Sequence, residues 1–146
     1  MNRIVKYPLY YDGNVILYNN ISILFTSDIV IEFSENFFYP HFCVIYRGTS
    51  QTDSNGDEVL NGVFYGICGF DFGGDGSTLL KGTFWQSSPT VIIPDTNFLF
   101  QNGDKVIITL DEDRVIKASV KQFEIQKENN LSGTTIWLKE AEDELN

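Results

Sequence analysis

"FLFQNGDKVIITLDEDRVIKASVKQFEI", residues 98–125, sets two acidic breaks between runs of apolar alternation. Asn102-Gly103-Asp104 interrupts the chain once, and Asp111-Glu112-Asp113 interrupts it again. Apolar residues at alternate places put one face of a strand against a core. Asn-Gly and short acidic runs supply the backbone freedom and solvation of tight turns. The stretch therefore reads as strands joined by corners, and it raises the question whether those acids are also a site.

Outward from that stretch the same grammar continues. "RIVKYPLYY" (3–11) reads as one alternating strand, placed at an edge or bend because Pro8 cannot donate to a ladder. Asp12-Gly13-Asn14 is a turn before "VILY" (15–18), and Asn19-Asn20 leads into "ISILF" (21–25). "IVIEF" (29–33) follows as a further strand, and "FFYPHFCVIYR" (37–47), longer and more apolar, reads as a central strand bent at Pro40. Residues 48–58 read as a polar connection, "VLNGVFYGIC" (59–68) as a strand, and "GFDFGGDGS" (69–77) as a glycine-rich loop. Strands are also expected at 78–85, 90–93 and 98–100, and finally at "TTIWLKE" (134–140), after a polar loop at 126–133. No apolar pattern of period 3.6 extends beyond about two turns. The expected architecture is all-β: one domain spanning 1–146, a small antiparallel β-barrel or β-sandwich with long loops and an acidic tail at about 140–146.

Composition agrees. Aromatics make up 14% of the chain, with 12 Phe and 7 Tyr, whereas Ala occurs only at 118 and 141, a bias toward pleated surfaces over helices. Twenty acidic residues against ten basic give a formal charge of −10, which opposes non-specific binding to nucleic acid and suits DNA repulsion or a basic partner. Met1–Asn14 lacks the apolar stretch of a signal peptide, and no run approaches the roughly 18 apolar residues of a membrane span. A protein made in the cytosol, without membrane contact, is expected. Cys43 and Cys68 both fall in apolar strands and read as buried free thiols.

Several clusters have the residue types of a site. Asp53, Asn55 and Asp57 alternate as in a calcium loop, but the sixth place is Glu58 where a sharp turn needs Gly, and the twelfth is Phe64 where a bidentate acid is needed. The stretch reads better as a solvated hairpin around Asn55-Gly56. Asp71, Gly73, Gly74 and Asp75 lie in the glycine-rich loop, but two acids repel phosphate and no helix follows. They read as a mobile contact loop. His41 is the only histidine, which removes multi-histidine metal centres. It shares a strand face with Cys43, yet its apolar neighbours favour a packed side chain. No catalytic residues and no cofactor are expected.

The segment from Val91 to Ala141 carries a resemblance. Gly103-Asp104-Lys105-Val106 opens a strand, 111–113 form a hairpin turn, Val115–Val120 carry a V-x-x-V-like strand, and Ile136–Leu138 end it after a polar loop. This order resembles the C-terminal half of the head-completion proteins of tailed bacteriophages, of the stopper or head–tail connector type. The resemblance implies a non-enzymatic virion subunit that forms a homo-oligomeric ring in the neck. Its neighbours would be portal, adaptor or tail proteins, and the DNA path would lie nearby without specific binding. It also implies that loops 48–58 and 69–77 face the channel or a partner. The alternatives are another virion component (head fibre, decoration or tail/baseplate adaptor), a carbohydrate-binding β-sandwich using Trp85, Tyr7, Tyr10 and Tyr11, or an acidic DNA mimic.

Overall fold

The computed structural model describes residues 3–6, 9–18, 21–31, 38–71, 89–111, 114–128 and 131–140. Its regular elements are all strands: β1 (Arg3–Lys6), β2 (Leu9–Asp12), β3 (Val15–Tyr18), β4 (Ile21–Leu24), β5 (His41–Thr52), β6 (Glu58–Asp71), β7 (Thr90–Ile93), β8 (Lys105–Asp111), β9 (Arg114–Glu128) and β10 (Leu131–Glu140). They join in the order β1-β2-β3-β4-β6-β5-β8-β9-β10-β7, and β7 also pairs with β6. That last pairing closes six strands, β5 to β10, into a ring of hydrogen bonds, with β1–β4 attached outside it. Every pairing around the ring is antiparallel, whereas β4 meets β6 in parallel through Ile23↔Leu60 and Leu24↔Asn61. Among the described residues no helix is long and apolar enough to cross a membrane.

Alternation explains why the ring closes. One face of each ring strand feeds a single apolar cluster: Cys43 and Ile45 from β5, Phe64 and Cys68 from β6, Val91 and Ile93 from β7, Val106, Ile108 and Leu110 from β8, Ile116, Ala118 and Val120 from β9, Ile136 and Leu138 from β10. Successive side chains leave a strand on opposite faces, so these residues point inward together. Closure removes the free edges that an open sheet would present.

The outer face of β5 and β8 is covered as well. Phe42 and Val44 of β5 and Ile107 of β8 belong to a second cluster, with Leu9, Ile16, Tyr18, Ile23, Phe25 and Ile29 of the N-terminal meander. β5 and β8 are therefore buried on both faces, which is why "FCVI" and "VIITL" are continuously buried runs while β3, β4 and β7 alternate. Tyr18 extends the cover to β9, with the Lys117 ammonium 5.4 Å from its ring centre.

The structure confirms the all-β fold and corrects several boundaries. Residues 3–11 do not form one strand: β1 and β2 pair antiparallel, Lys6 opposite Leu9, so the chain reverses between them. Residues 29–31 are not a strand, because Ile29 N–H donates to Gly13 O (2.7 Å) and Val30 N–H to the Tyr65 hydroxyl (3.3 Å) rather than to a ladder. β5 starts at His41, beyond the expected bend, and runs through 48–52, so the expected polar connection shrinks to 53–57. Gly69, Phe70 and Asp71 extend β6, where they pair with β7, rather than open a loop. Residues 98–100 pack aromatic rings instead of pairing, and the expected loop at 126–133 is mostly strand, with Glu128 opposite Leu131. The expected strand at 78–85 lies outside the described residues, as do Pro8, Asn19, Asn20, Gly73, Gly74, Asp75, Trp85, Tyr7, Glu112, Asp113 and the acidic tail beyond Glu140.

Candidate functional site

The corner at 102–104 is tied down on several sides by hydrogen bonds. Gly103 adopts φ +96°, a left-handed conformation open to glycine at little cost. Its N–H donates to Val120 O (2.8 Å), and Val120 N–H returns a bond to Asp104 O (2.8 Å), so the corner is stitched to β9. Asn102 adds a side-chain bond to Lys121 O (3.0 Å) and accepts one from Lys139 Nζ (2.7 Å) of β10.

Asp104 is the exception to the reading of these acids as solvated turn residues. It is 3% exposed. Arg47, from the middle of β5, grips it with Nε to Oδ1 (3.0 Å) and Nη2 to Oδ2 (2.8 Å), while Gln101 N–H also donates to Oδ2 (2.8 Å). A planar fork on a carboxylate is the strongest common geometry of an ion pair, and it fixes orientation as well as charge. Arg47 Nη2 reaches Leu99 O as well (3.3 Å), which ties down the segment just before the corner. The Phe98 and Phe100 rings (centres 6.3 Å apart) meet Phe64 and Phe123 edge-on at 5.1 and 5.6 Å. Arg47 was missed from sequence; its only signal is a lone cation ending the apolar run "FCVIYR". The second acidic break behaves as expected at its described end: Asp111 is half-exposed and pairs with Arg114 across the hairpin (2.7 Å).

The Asp53–Asp57 tip is a hairpin turn, as its Asn55-Gly56 suggests. Asp53 Oδ1 accepts the N–H groups of Asn55 (2.8 Å) and Asp57 (3.0 Å), and Gly56 N–H reaches Asp53 O (3.1 Å). That oxygen stabilises the turn, and among the described residues no three His, Cys, Asp or Glu side chains come together to hold a metal. Just inside the tip, β5 bulges between Gly48 and Thr52. Ser50 takes φ +64°, unusual for a residue with a side chain, and its N–H donates to Glu58 Oε2 (3.0 Å). Thr49 Oγ1 donates to Val59 O (2.8 Å), so the bulge is held on both sides.

The remaining candidates are dispersed. Asp71 is an exposed strand residue opposite Thr90. His41 begins β5 and lies opposite Cys68, while Cys43 and Cys68 are fully buried and free of a disulfide. Burial raises the Cys43 thiol well above its ordinary range, reinforced by its hydrogen bond with Cys68 and by that neighbour's charge on ionisation. The Cys43 thiol is thus held protonated, the opposite of an activated nucleophile. Tyr11 packs against the outer cluster rather than forming an open platform.

No family model matches the chain, and neither a curated protein nor a solved structure matches it at a significant level.

Proposed function

We propose that the chain is a non-enzymatic structural protein of a tailed-phage virion, a head–tail connector or stopper subunit that works as an oligomeric ring. The observation that carries this reading is the order of elements in its C-terminal part. The Gly103-Asp104 corner leads directly into β8, a hairpin joins β8 to the long β9, and β10 completes the run. That is the order in which the resembling family sets its Gly-Asp turn and strands. A closed ring with a carboxylate-clamped corner is a rigid block, suited to bearing load between neighbours rather than to opening around a substrate.

The charge of −10 fits a DNA path lined by repulsive surface, and lateral contacts between copies would supply the cohesion. The chain would be made in the host cytoplasm and reside in the virion, beside portal, adaptor or tail proteins, with no cofactor. The β5–β6 tip would be the partner-facing loop. Light scattering of the purified chain, alone and mixed with portal rings from the virus that encodes it, tests the reading. Ring-sized assemblies that include the portal are expected. A chain that stays monomeric and portal-free in both samples overturns it.

A further inference from the structure

The β3–β4 hairpin and the outer half of the β5–β6 hairpin stand side by side, joined by the two parallel pairs at Leu60 and Asn61. Between them runs an open groove of about 530 Å³, within the roughly 300–1,000 Å³ of ligand clefts. Ile21, Leu24 and Leu60 supply an apolar surface, and Leu24 is 43% exposed there. Asp53, Asp57 and Glu58 line the other side, against the single cation Lys105.

The acidic wall is built, not floppy. Asp53 is held by two backbone N–H groups, and Glu58 is held over the bulge by Ser50 N–H, with Gly48 leaving the room its carboxylate occupies. Preorganised charge beside exposed aliphatic surface recognises a chain that presents both at a short repeat.

We propose that this groove docks an extended segment of a partner protein in which Lys or Arg alternates with aliphatic residues. Alternation sends the aliphatic side chains to Leu24 and Leu60 and the cations to Asp57 and its neighbours. Nucleic acid is disfavoured by the acidic wall, and a second copy seated in the groove would show itself as self-association of the chain. The inference does not depend on the neck assignment, because the groove selects this chemistry whatever the assembly.

An array of pentapeptides alternating Lys or Arg with Leu, Ile or Val tests it, with Glu-containing counterparts as controls and fluorescence anisotropy on the best binder. The cationic set binds and the acidic set does not. Asp57→Lys and Leu24→Asp each weaken binding by about tenfold or more, whereas Glu124→Lys, on exposed β9 away from the groove, changes it less than about twofold. Circular dichroism confirms that each variant is folded. Three outcomes overturn the proposal: no cationic peptide outbinding its acidic counterpart, equal weakening by Glu124→Lys, or self-association of the chain that Leu24→Asp abolishes.

Discussion

Asp104 is a carboxylate taken almost wholly out of water, and its cost is offset by the Arg47 fork and the Gln101 amide. Removing one partner of such a pair leaves the other charge buried without compensation, which commonly costs about 3–5 kcal/mol. Arg47 is itself 31% exposed, so solvent softens the loss. Arg47→Ala is expected to lower the unfolding free energy by about 2–3 kcal/mol in urea titrations, and Arg47→Lys is expected to recover less than half, since an ammonium cannot make both bonds. The thiols give a prediction of the other kind. Cys43 is raised in the folded state, so its contribution to stability is intact below the ordinary thiol value and declines as pH rises above about 9. Urea midpoints of wild type and Cys43→Ser followed from pH 7 to 10 are expected to converge as pH rises, and N-ethylmaleimide is expected to label neither Cys43 nor Cys68 at pH 7 until the chain unfolds. At this scale the sequence was a partial guide. Asn102-Gly103 announced a corner and Asn55-Gly56 a hairpin tip, because turn chemistry is local. That Asp104 is buried was not legible, since its partner lies on a strand 57 positions away in the chain.

At the scale of elements, the close approach of β6 to the meander turns on Gly62. A Cβ at that position would fall within the ring of Phe25, which itself packs edge-on to Tyr65 at 5.0 Å. Gly62→Ala is therefore expected to cost about 1–3 kcal/mol by forcing that ring aside. Calorimetry gives the loss, and Phe25→Leu in the same background is expected to restore part of it. Strand existence was largely readable, from alternation at 15–18 and 90–93 and from an unbroken run bounded by turns at 105–111. Boundaries were not. "IVIEF" has the composition of a strand, yet Ile29 spends its N–H on the Gly13 turn. The polar stretch 48–52 reads as a loop, yet Glu58 and Thr49 support a bulge that carries pairing through it. Competing side-chain and turn bonds decided both cases, and composition does not record them.

For the whole molecule, the two apolar clusters share β5 and β8: one face of each strand lines the ring and the other lies beneath the meander. A defect in either cluster is felt by the same two strands. Ile23→Ala in the outer layer and Ile136→Ala inside the ring are each expected to cost about 2–4 kcal/mol and to leave one cooperative unfolding transition, with fluorescence and circular dichroism curves superimposing. Two transitions would mean that the meander folds as a separate unit. The β class was legible from the dearth of alanine and the period of two, and double burial was hinted at by the unbroken run at 42–45. Closure was not legible, because it depends on which distant strands meet.

That closure rests on β7, a strand of four residues. It holds β6 through Gly69↔Ile92, Phe70↔Val91 and Asp71↔Thr90, and β10 from Ile93↔Thr134 to Thr90↔Trp137. The hairpins β5–β6, β8–β9 and β9–β10 join near neighbours in sequence and pay little loop entropy to form. β7 instead meets β6 and β10 through longer stretches of chain, and the β5–β8 pairing, Phe42↔Thr109, spans more chain still. The ring thus behaves as a clasp whose pin is Thr90–Ile93, and a chain caught before the pin seats exposes the facing edges of β6 and β10 to other chains.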